Sequence, residues 1–437
     1  MATYTVYFPG GKYPQDYSPA IPGFDYNPMF GELVDLSSAT VLGSSSTRYT
    51  LQLDDGLKLR FSGSGFAFDG GGDATGGTVT KVELLQANGT TLVSTLTGLS
   101  LSLEALQDAS TVFDPWSLQA WILNRSDTLN GSSGNDDLEG FAGNDTINAK
   151  GGDDFVIGGE GRDRYDGGTG WDNLSFQDAR FNPNALGGVV LDAASGTVMD
   201  PYGNTEQFQN FETFRGTQFR DVLKGSGRDE DFQGVGGRDV IDGRGGFDTV
   251  SYHRDQSNGG RAVGVTVDLK AGTAIDGFGK TDTLSRIEGV RGTGYADTLT
   301  GGNGDNWLRG DGGNDYLVGG LGNDQLRGDG GSDYFVFNTK LSAAYNVDDI
   351  EDFNVAADTI KLENAIFTKL SGIGTLSADQ FVANDKGCAE DASDRIIYEK
   401  DAGNLYYDSN GKASGGRVLF ATLDDGLAMT AADFFII

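Results

Sequence analysis

A single cysteine, Cys388, leaves no partner for an internal disulfide and no thiolate set for a zinc cluster. The 437 residues contain one histidine, His253. An HExxH zinc protease needs two histidines on one helix and a third ligand, so that chemistry is excluded. No G-x-S-x-G elbow is present, and a serine triad would have to recruit the same histidine. Basic residues are scarce, 32 against 64 acids, giving a formal charge of −32. A surface this acidic does not bind nucleic acid, and anionic membranes repel it. No apolar run approaches the roughly 18 residues of a membrane span. The opening MATYTVYFPGGKYP lacks the basic and apolar regions expected of a cleaved secretory signal.

Glycine and acids are abundant, and they fall in register. Residues 131–175 read GSSGNDDLE, GFAGNDTIN, AKGGDDFVI, GGEGRDRYD, GGTGWDNLS. Aspartate holds the sixth place in each (Asp136, Asp145, Asp154, Asp163, Asp172). An apolar residue holds the eighth (Leu138, Ile147, Val156, Tyr165, Leu174). The first six places suit a turn, because glycine reaches positive φ without a Cβ clash. The last three make a minimal strand whose middle side chain points inward. Two repeats complete one coil of a flattened spiral, so repeats i and i+2 stack about 4.8 Å apart.

Stacking gathers two sixth-place carboxylates and several turn carbonyls around one gap. These are hard oxygen ligands at variable angles, which suit Ca²⁺ and not the rigid octahedron of Mg²⁺. The same frame recurs farther on, giving three expected rolls at about 126–175, 220–251 and 296–338. Candidate ligands are Asp127, Asp136, Asp145, Asp154, Asp163 and Asp172 in the first roll. The second offers Asp221, Glu230, Asp239 and Asp248, and the third Asp297, Asn306, Asp315, Asp324 and Asp333. Turn carbonyls are expected near the frame-opening glycines Gly131, Gly140, Gly158, Gly167, Gly234, Gly243, Gly310, Gly319 and Gly328. Glu230 is longer than aspartate and Asn306 is neutral, so sites using them should be weaker. Asp349 is a candidate terminal ligand. Pairing repeats two apart predicts roughly nine Ca²⁺ ions, and no catalytic residues are assigned.

The nonapeptide frame G-G-x-G-x-D-x-U-x resembles the RTX (repeats-in-toxin) family of calcium-binding proteins. That resemblance implies an all-β chain: a parallel β-roll or β-helix solenoid with calcium-binding nonapeptide repeats. A small, mostly β N-terminal domain (1–124) is expected before the solenoid (125–338), and a β-rich C-terminal cap (339–437) after it. A longer repeat overlies the short one, since FDTVSY at 247–252 answers WDNLSF at 171–176, an offset of 76. Gly196 and Gly272, Asp200 and Asp276, Glu212 and Glu288 keep that offset. The insert between rolls is expected to continue the spiral with longer, metal-poor coils.

Past 338, VDDIEDFNVAADTIKL, RIIYEKDAGNLYYDSNG and GGRVLFAT read as strands and a hairpin, with a short helix near Ser377–Val382. This stretch resembles the cap of serralysin-type RTX proteins, in which an aspartate and apolar residues end an uncleaved type I secretion signal. Asp433, Phe434, Phe435, Ile436 and Ile437 match it. The resemblance implies a type I exporter as partner and a secreted, extracellular or cell-surface protein of a Gram-negative bacterium. In the N-terminal segment, 49–61 and 78–96 read as hairpins, and a helix is expected from Asp114 as N-cap with Pro115 first. WSLQAWIL would then close the open end of the first roll. Early aromatics (Tyr4, Tyr7, Phe8, Tyr13, Tyr17, Phe24, Tyr26, Phe30) are read as core or loop anchors, with a carbohydrate-stacking face as the alternative. The expected function is calcium-built and non-catalytic: adhesion, polysaccharide attachment or lattice assembly. The alternative is a carbohydrate-active enzyme with its site in the N-terminal domain.

Overall fold

The computed structural model describes residues 2–6, 39–54, 56–112 and 115–437. Asp114 and the early aromatics other than Tyr4 lie outside those residues. The described chain forms two compact units, Met1–Thr217 and Gln218–Ile437, a division that falls within the expected solenoid.

The first unit begins with β1 (Thr3–Val6), followed by an antiparallel set: β2 (Thr40–Ser45), β3 (Arg48–Gln52), β4 (Lys58–Phe68), β5 (Ala74–Leu85) and β6 (Leu92–Ser102). Tyr49 faces Phe61 across the β3–β4 hairpin, and Val82 faces Leu96 across β5–β6. Leu59, Phe61, Val79, Val82, Leu84 and Leu96 turn inward, the alternation expected of a sheet with one buried face. Two helices follow, α1 (Leu103–Val112) and α2 (Pro115–Ile122). The first of these was not apparent in the sequence. It is anchored where Gln107 accepts the Ala74 N–H and donates to Asp73.

The roll of the first unit is a parallel solenoid of three-residue strands. One wall pairs 128–130 with 146–148 and then 164–166; the other pairs 137–139 with 155–157 and then 173–175. Leu129, Ile147 and Tyr165 therefore stack, as do Leu138, Val156 and Leu174, and all are buried. What starts the first wall is β1, which pairs antiparallel with β6 and parallel with 128–130. Tyr4, fully buried, sits opposite Leu129 in that register.

The insert does not simply lengthen the coils. Strands 190–192, 197–199 and 205–209 form an antiparallel meander, and the last rejoins the parallel wall beside 164–166. Its counterpart in the second unit (266–268, 273–275, 281–285) does the same, rejoining beside 240–242. Gly196 and Gly272 make the same left-handed turn, at φ 62° and 70°.

In the second unit one wall runs in parallel through 231–233, 249–251, 289–291, 307–309, 325–327, 348–350 and 417–422. The other, beginning at 266–268, continues through 298–300, 316–318, 334–337, 359–362 and 434–436. The chain is thus a parallel β-roll with its core on the eighth-place side chains. One detail of the cap differs from expectation. The Ser377–Val382 helix is a single 3-10 turn (Ala378–Gln380) that runs into a strand, Phe381–Asn384, paired with Ile396–Glu399. Asp408 accepts the Asn410 N–H in a turn of the hairpin between 404–408 and 417–422.

Candidate metal centre

Each sixth-place carboxylate has two oxygens, and the fold treats them differently. Oδ1 accepts the main-chain N–H of the sixth-place residue one coil earlier. In the first roll the Asp127 N–H donates to Asp145 Oδ1 (2.6 Å) and that of Asp145 to Asp163 Oδ1 (2.7 Å). On the other edge Asp136 donates to Asp154 (2.8 Å) and Asp154 to Asp172 (2.9 Å). The second roll repeats this for Asp221 with Asp239 (2.9 Å) and Glu230 with Asp248 (3.0 Å). The third does so for Asp297 with Asp315 (2.8 Å), Asp315 with Asp333 (2.9 Å) and Asn306 with Asp324 (2.8 Å).

The second oxygen is left without a donor. Oδ2 of Asp127, Asp145, Asp154, Asp172, Asp239, Asp248, Asp315, Asp324 and Asp333 is buried and unpartnered. A buried carboxylate oxygen without a partner is costly, and such a row of them points to a cation. In most of these repeats the second place takes a left-handed conformation. Phe141, Lys150, Val235, Arg244, Asp311 and Asp329 stand there with φ between 60° and 79°. This left-handed turn accompanies an orphaned oxygen four residues on. Where the second residue avoids that conformation, its N–H closes on the carboxylate instead. Ser132 donates to Asp136, Ser226 to Glu230, Thr293 to Asp297 and Gly302 to Asn306.

A first-place glycine opens onto most of these oxygens. A Cβ added at Gly140 would lie 2.6 Å from both Asp145 Oδ2 and the Gly158 carbonyl oxygen. Added methyls at Gly158, Gly167 and Gly234 would meet Oδ2 of Asp163, Asp172 and Asp239 at 2.6, 2.7 and 2.6 Å. Gly131, Gly243, Gly310, Gly319 and Gly328 face the sixth-place carboxylates of their own repeats in the same way. The space is therefore bounded by a carboxylate and, at Gly140, Gly243 and Gly310, by a carbonyl of the neighbouring coil. Oxygen donors of this kind fit Ca²⁺. Among the described residues no three acidic, histidine or cysteine side chains form a preformed cage, so stacked carboxylate pairs need carbonyls to complete a shell.

Without a cation the carboxylates resist ionisation. Burial pushes Asp145 up to about 8, opposed by the Asp127 N–H and reinforced by the charges of Asp163 and Asp127. Burial likewise takes Asp154 and Asp248 to about 8. For Asp239, burial and then the charges of Asp221 and Asp282 give about 9.

The stacks extend beyond the nonapeptides. The Asp163 N–H donates to Glu206 Oε1 (3.2 Å), Asp172 to Glu212 (3.1 Å), Asp239 to Asp282 (2.9 Å) and Asp248 to Glu288 (3.0 Å). The inserts therefore supply acids to both edges. At the far end Asp324 donates to Asp348 (3.3 Å) and Asp333 to Asp358 (2.9 Å). Asp349 is not the terminal partner: it is exposed and accepts from the Thr422 hydroxyl, while Asp348, one residue earlier, is buried. Alternation along a strand accounts for the one-residue miss. At the near end the stack on Asp127 is met by the Ala2 N–H, from the segment leading into β1. Glu230 has both oxygens engaged by Ser226. Asn306 accepts from Gly302 and donates Nδ2–H to the Glu288 carbonyl at 3.1 Å. Neither side chain presents a bare oxygen.

The fold and these stacked oxygens define a calcium-binding β-roll chain. The RTX calcium-binding nonapeptide repeat matches in four copies, at residues 123–156, 139–174, 291–326 and 317–338. The chain thus carries RTX repeats; the roll at 220–251 repeats the geometry outside the matched spans. Among solved structures it is similar to the extracellular lipase LipA from Serratia marcescens, with 19% identity over 71% of this chain and a TM-score of 0.19. The alignment takes in 40% of the lipase chain. It is also similar to the AlgE6R3 subunit of the Azotobacter vinelandii mannuronan C5-epimerase, with 25% identity and a TM-score of 0.20. That alignment covers 32% of this chain and 77% of the other. No curated protein matches the chain.

Proposed function

We propose that the chain is exported unfolded through a type I exporter, folds on several Ca²⁺ ions outside the cell, and works there without catalysis. The row of unpartnered Oδ2 atoms carries this reading, because a fold built around them depends on a cation that is scarce in the cytosol and abundant outside. The C-terminal strand supports it: Phe434 and Ile436 are buried and paired with Ile360 and Leu362, so the matching secretion segment is readable only before folding. The role is adhesion, attachment to polysaccharide, or lattice assembly at the cell surface. His253 Nε2 accepts the Arg254 Nε–H at 3.3 Å.

The test is a glycan array and a turnover assay on the calcium-loaded chain, with and without residues 1–124. Binding lost on deletion, with no product in either case, supports an adhesin. Polysaccharide cleavage or epimerisation by the intact chain would sink the non-catalytic claim.

A further inference from the structure

The 76-residue repeat allows the two inserts to be compared residue by residue. In the first copy Asp163, Asp200 and Glu206 are neighbours, and protein donors satisfy them. The Tyr165 hydroxyl donates to Glu206 Oε2 (2.7 Å) and lies 3.3 Å from Asp163 Oδ2. Asn204 Nδ2 donates to Asp200 Oδ2 (3.1 Å), and the Tyr202 and Asn204 N–H groups donate to Asp200 Oδ1. That copy is closed.

The equivalent acids of the second copy are Asp239, Asp276 and Asp282; those two donors are gone, and the Tyr252 hydroxyl, at the place of Phe176, faces Asp282 instead. Ile241 stands at the place of Tyr165 and Lys280 at that of Asn204. The turn itself is kept, with the Phe278 and Lys280 N–H groups donating to Asp276 Oδ1. Asp276 Oδ2 and Asp239 Oδ2, however, have no partner, and each residue is 1% exposed. A fourth buried acid, Asp255, replaces Ala179, and its Oδ2 accepts the Gly277 N–H (2.8 Å). Four acids therefore share one buried region.

We infer that this second insert binds a further calcium ion, held by Asp239, Asp255, Asp276 and Asp282, and that the first insert does not. Two orphaned carboxylate oxygens in one buried cluster have no protein donor, and a bound cation would satisfy both when the acids are ionised. All the donors are hard oxygens. No three of the acids are preassembled into a cage. The ion would draw them together and complete its shell with main-chain carbonyls and water, as Ca²⁺ tolerates and Mg²⁺ does not. Asp255 and Asp276 lie outside the nonapeptide frame, so the repeat pattern gives no hint of this site.

The inference rests on the calcium reading of the rolls, and counting ions separates the two. Bound calcium per full-length chain is measured by equilibrium dialysis and elemental analysis for wild type, Asp276→Asn and Asp200→Asn. Asparagine keeps the Oδ1 acceptor of either turn. The expected result is one ion fewer in Asp276→Asn and the wild-type count in Asp200→Asn. An unchanged count in Asp276→Asn, or an equal loss in Asp200→Asn, would overturn the inference. Should Asp276→Asn fail to fold, Lys280→Asn decides, because Lys280 is exposed and the new amide imitates Asn204. Loss of one ion supports the site, against the simple expectation that removing a positive charge strengthens cation binding; retention of the wild-type count overturns it. A wild-type chain that binds no calcium at all would refute the roll reading instead.

Discussion

Asp145 occupies the middle of the first stack, and replacing it with alanine tests the arrangement most severely. Its Oδ1 accepts the Asp127 N–H at 2.6 Å, its own N–H reaches Asp163 Oδ1, and its Oδ2 is bare. It borders two cation gaps, one shared with Asp127 and one with Asp163. With free calcium about 100-fold above the dissociation constant, each filled site stabilises the fold by about 2.7 kcal/mol, so two sites contribute about 5. Leaving the buried Asp127 N–H without an acceptor costs about 1–3 kcal/mol more. The sum, about 6–8 kcal/mol, rivals the whole stability of a typical domain. Asp145→Asn keeps the acceptor and loses only the metal contribution, so it should fall between alanine and wild type. The assay is far-UV circular dichroism during calcium titration, with bound calcium measured at saturation. Asp145→Ala should lose two ions and need several-fold more calcium; an unchanged midpoint would refute the stacking register.

Gly140→Ala places a methyl 2.6 Å from Asp145 Oδ2 and the Gly158 oxygen, whereas Gly245→Ala meets nothing within 4 Å. Calcium affinity should drop at least tenfold in the first and hold in the second; equal titration curves would show that the gap is not a binding site. Glu230→Gln should leave the calcium count unchanged, because Ser226 already engages that carboxylate, and a lost ion would contradict the closed geometry. Asn306→Asp should add one ion by exchanging an amide donor for an oxygen beside the Glu288 carbonyl, and an unaltered count would count against it. In excess chelator, acid should favour the fold. Burial raises Asp145, Asp154, Asp239 and Asp248 to about 8 or 9, so the metal-free folded chain holds more protons than the unfolded one. Stability is then greatest below about 4 and is lost as pH rises towards 9. Circular dichroism of the chelated chain should show more β-structure at pH 5 than at pH 8; the reverse order would be inconsistent with buried neutral carboxylates.

The regular repeats were legible because one short spacing fixes two things together. The sixth-place acid and the eighth-place apolar residue define edge and core, and Leu138, Val156 and Leu174 stack as the frame requires. The ends of the stacks were not legible. Glu206 and Asp282 follow their partners by 43 residues and Glu212 and Glu288 by 40, where the frame advances by 18. Only the offset of 76 marks them, since it maps Glu206 onto Asp282 and Glu212 onto Glu288. Asp348 was missed in favour of Asp349 because an acidic pair on a short strand gives no sign of which residue faces inward. At most repeats the distinction between closed and open oxygens follows one backbone torsion at the second place. Serine or threonine there marks a closed site, as at Ser132, Ser226 and Thr293, a signal present in the sequence but meaningful only once the hydrogen bonds are seen.

The central claim is that calcium builds the rolls, and far-UV circular dichroism of the chelated chain titrated with calcium, with magnesium as control, tests it most directly. The account predicts a cooperative gain of β-signal with calcium and none with magnesium. A fully developed β-spectrum in excess chelator at neutral pH would contradict it.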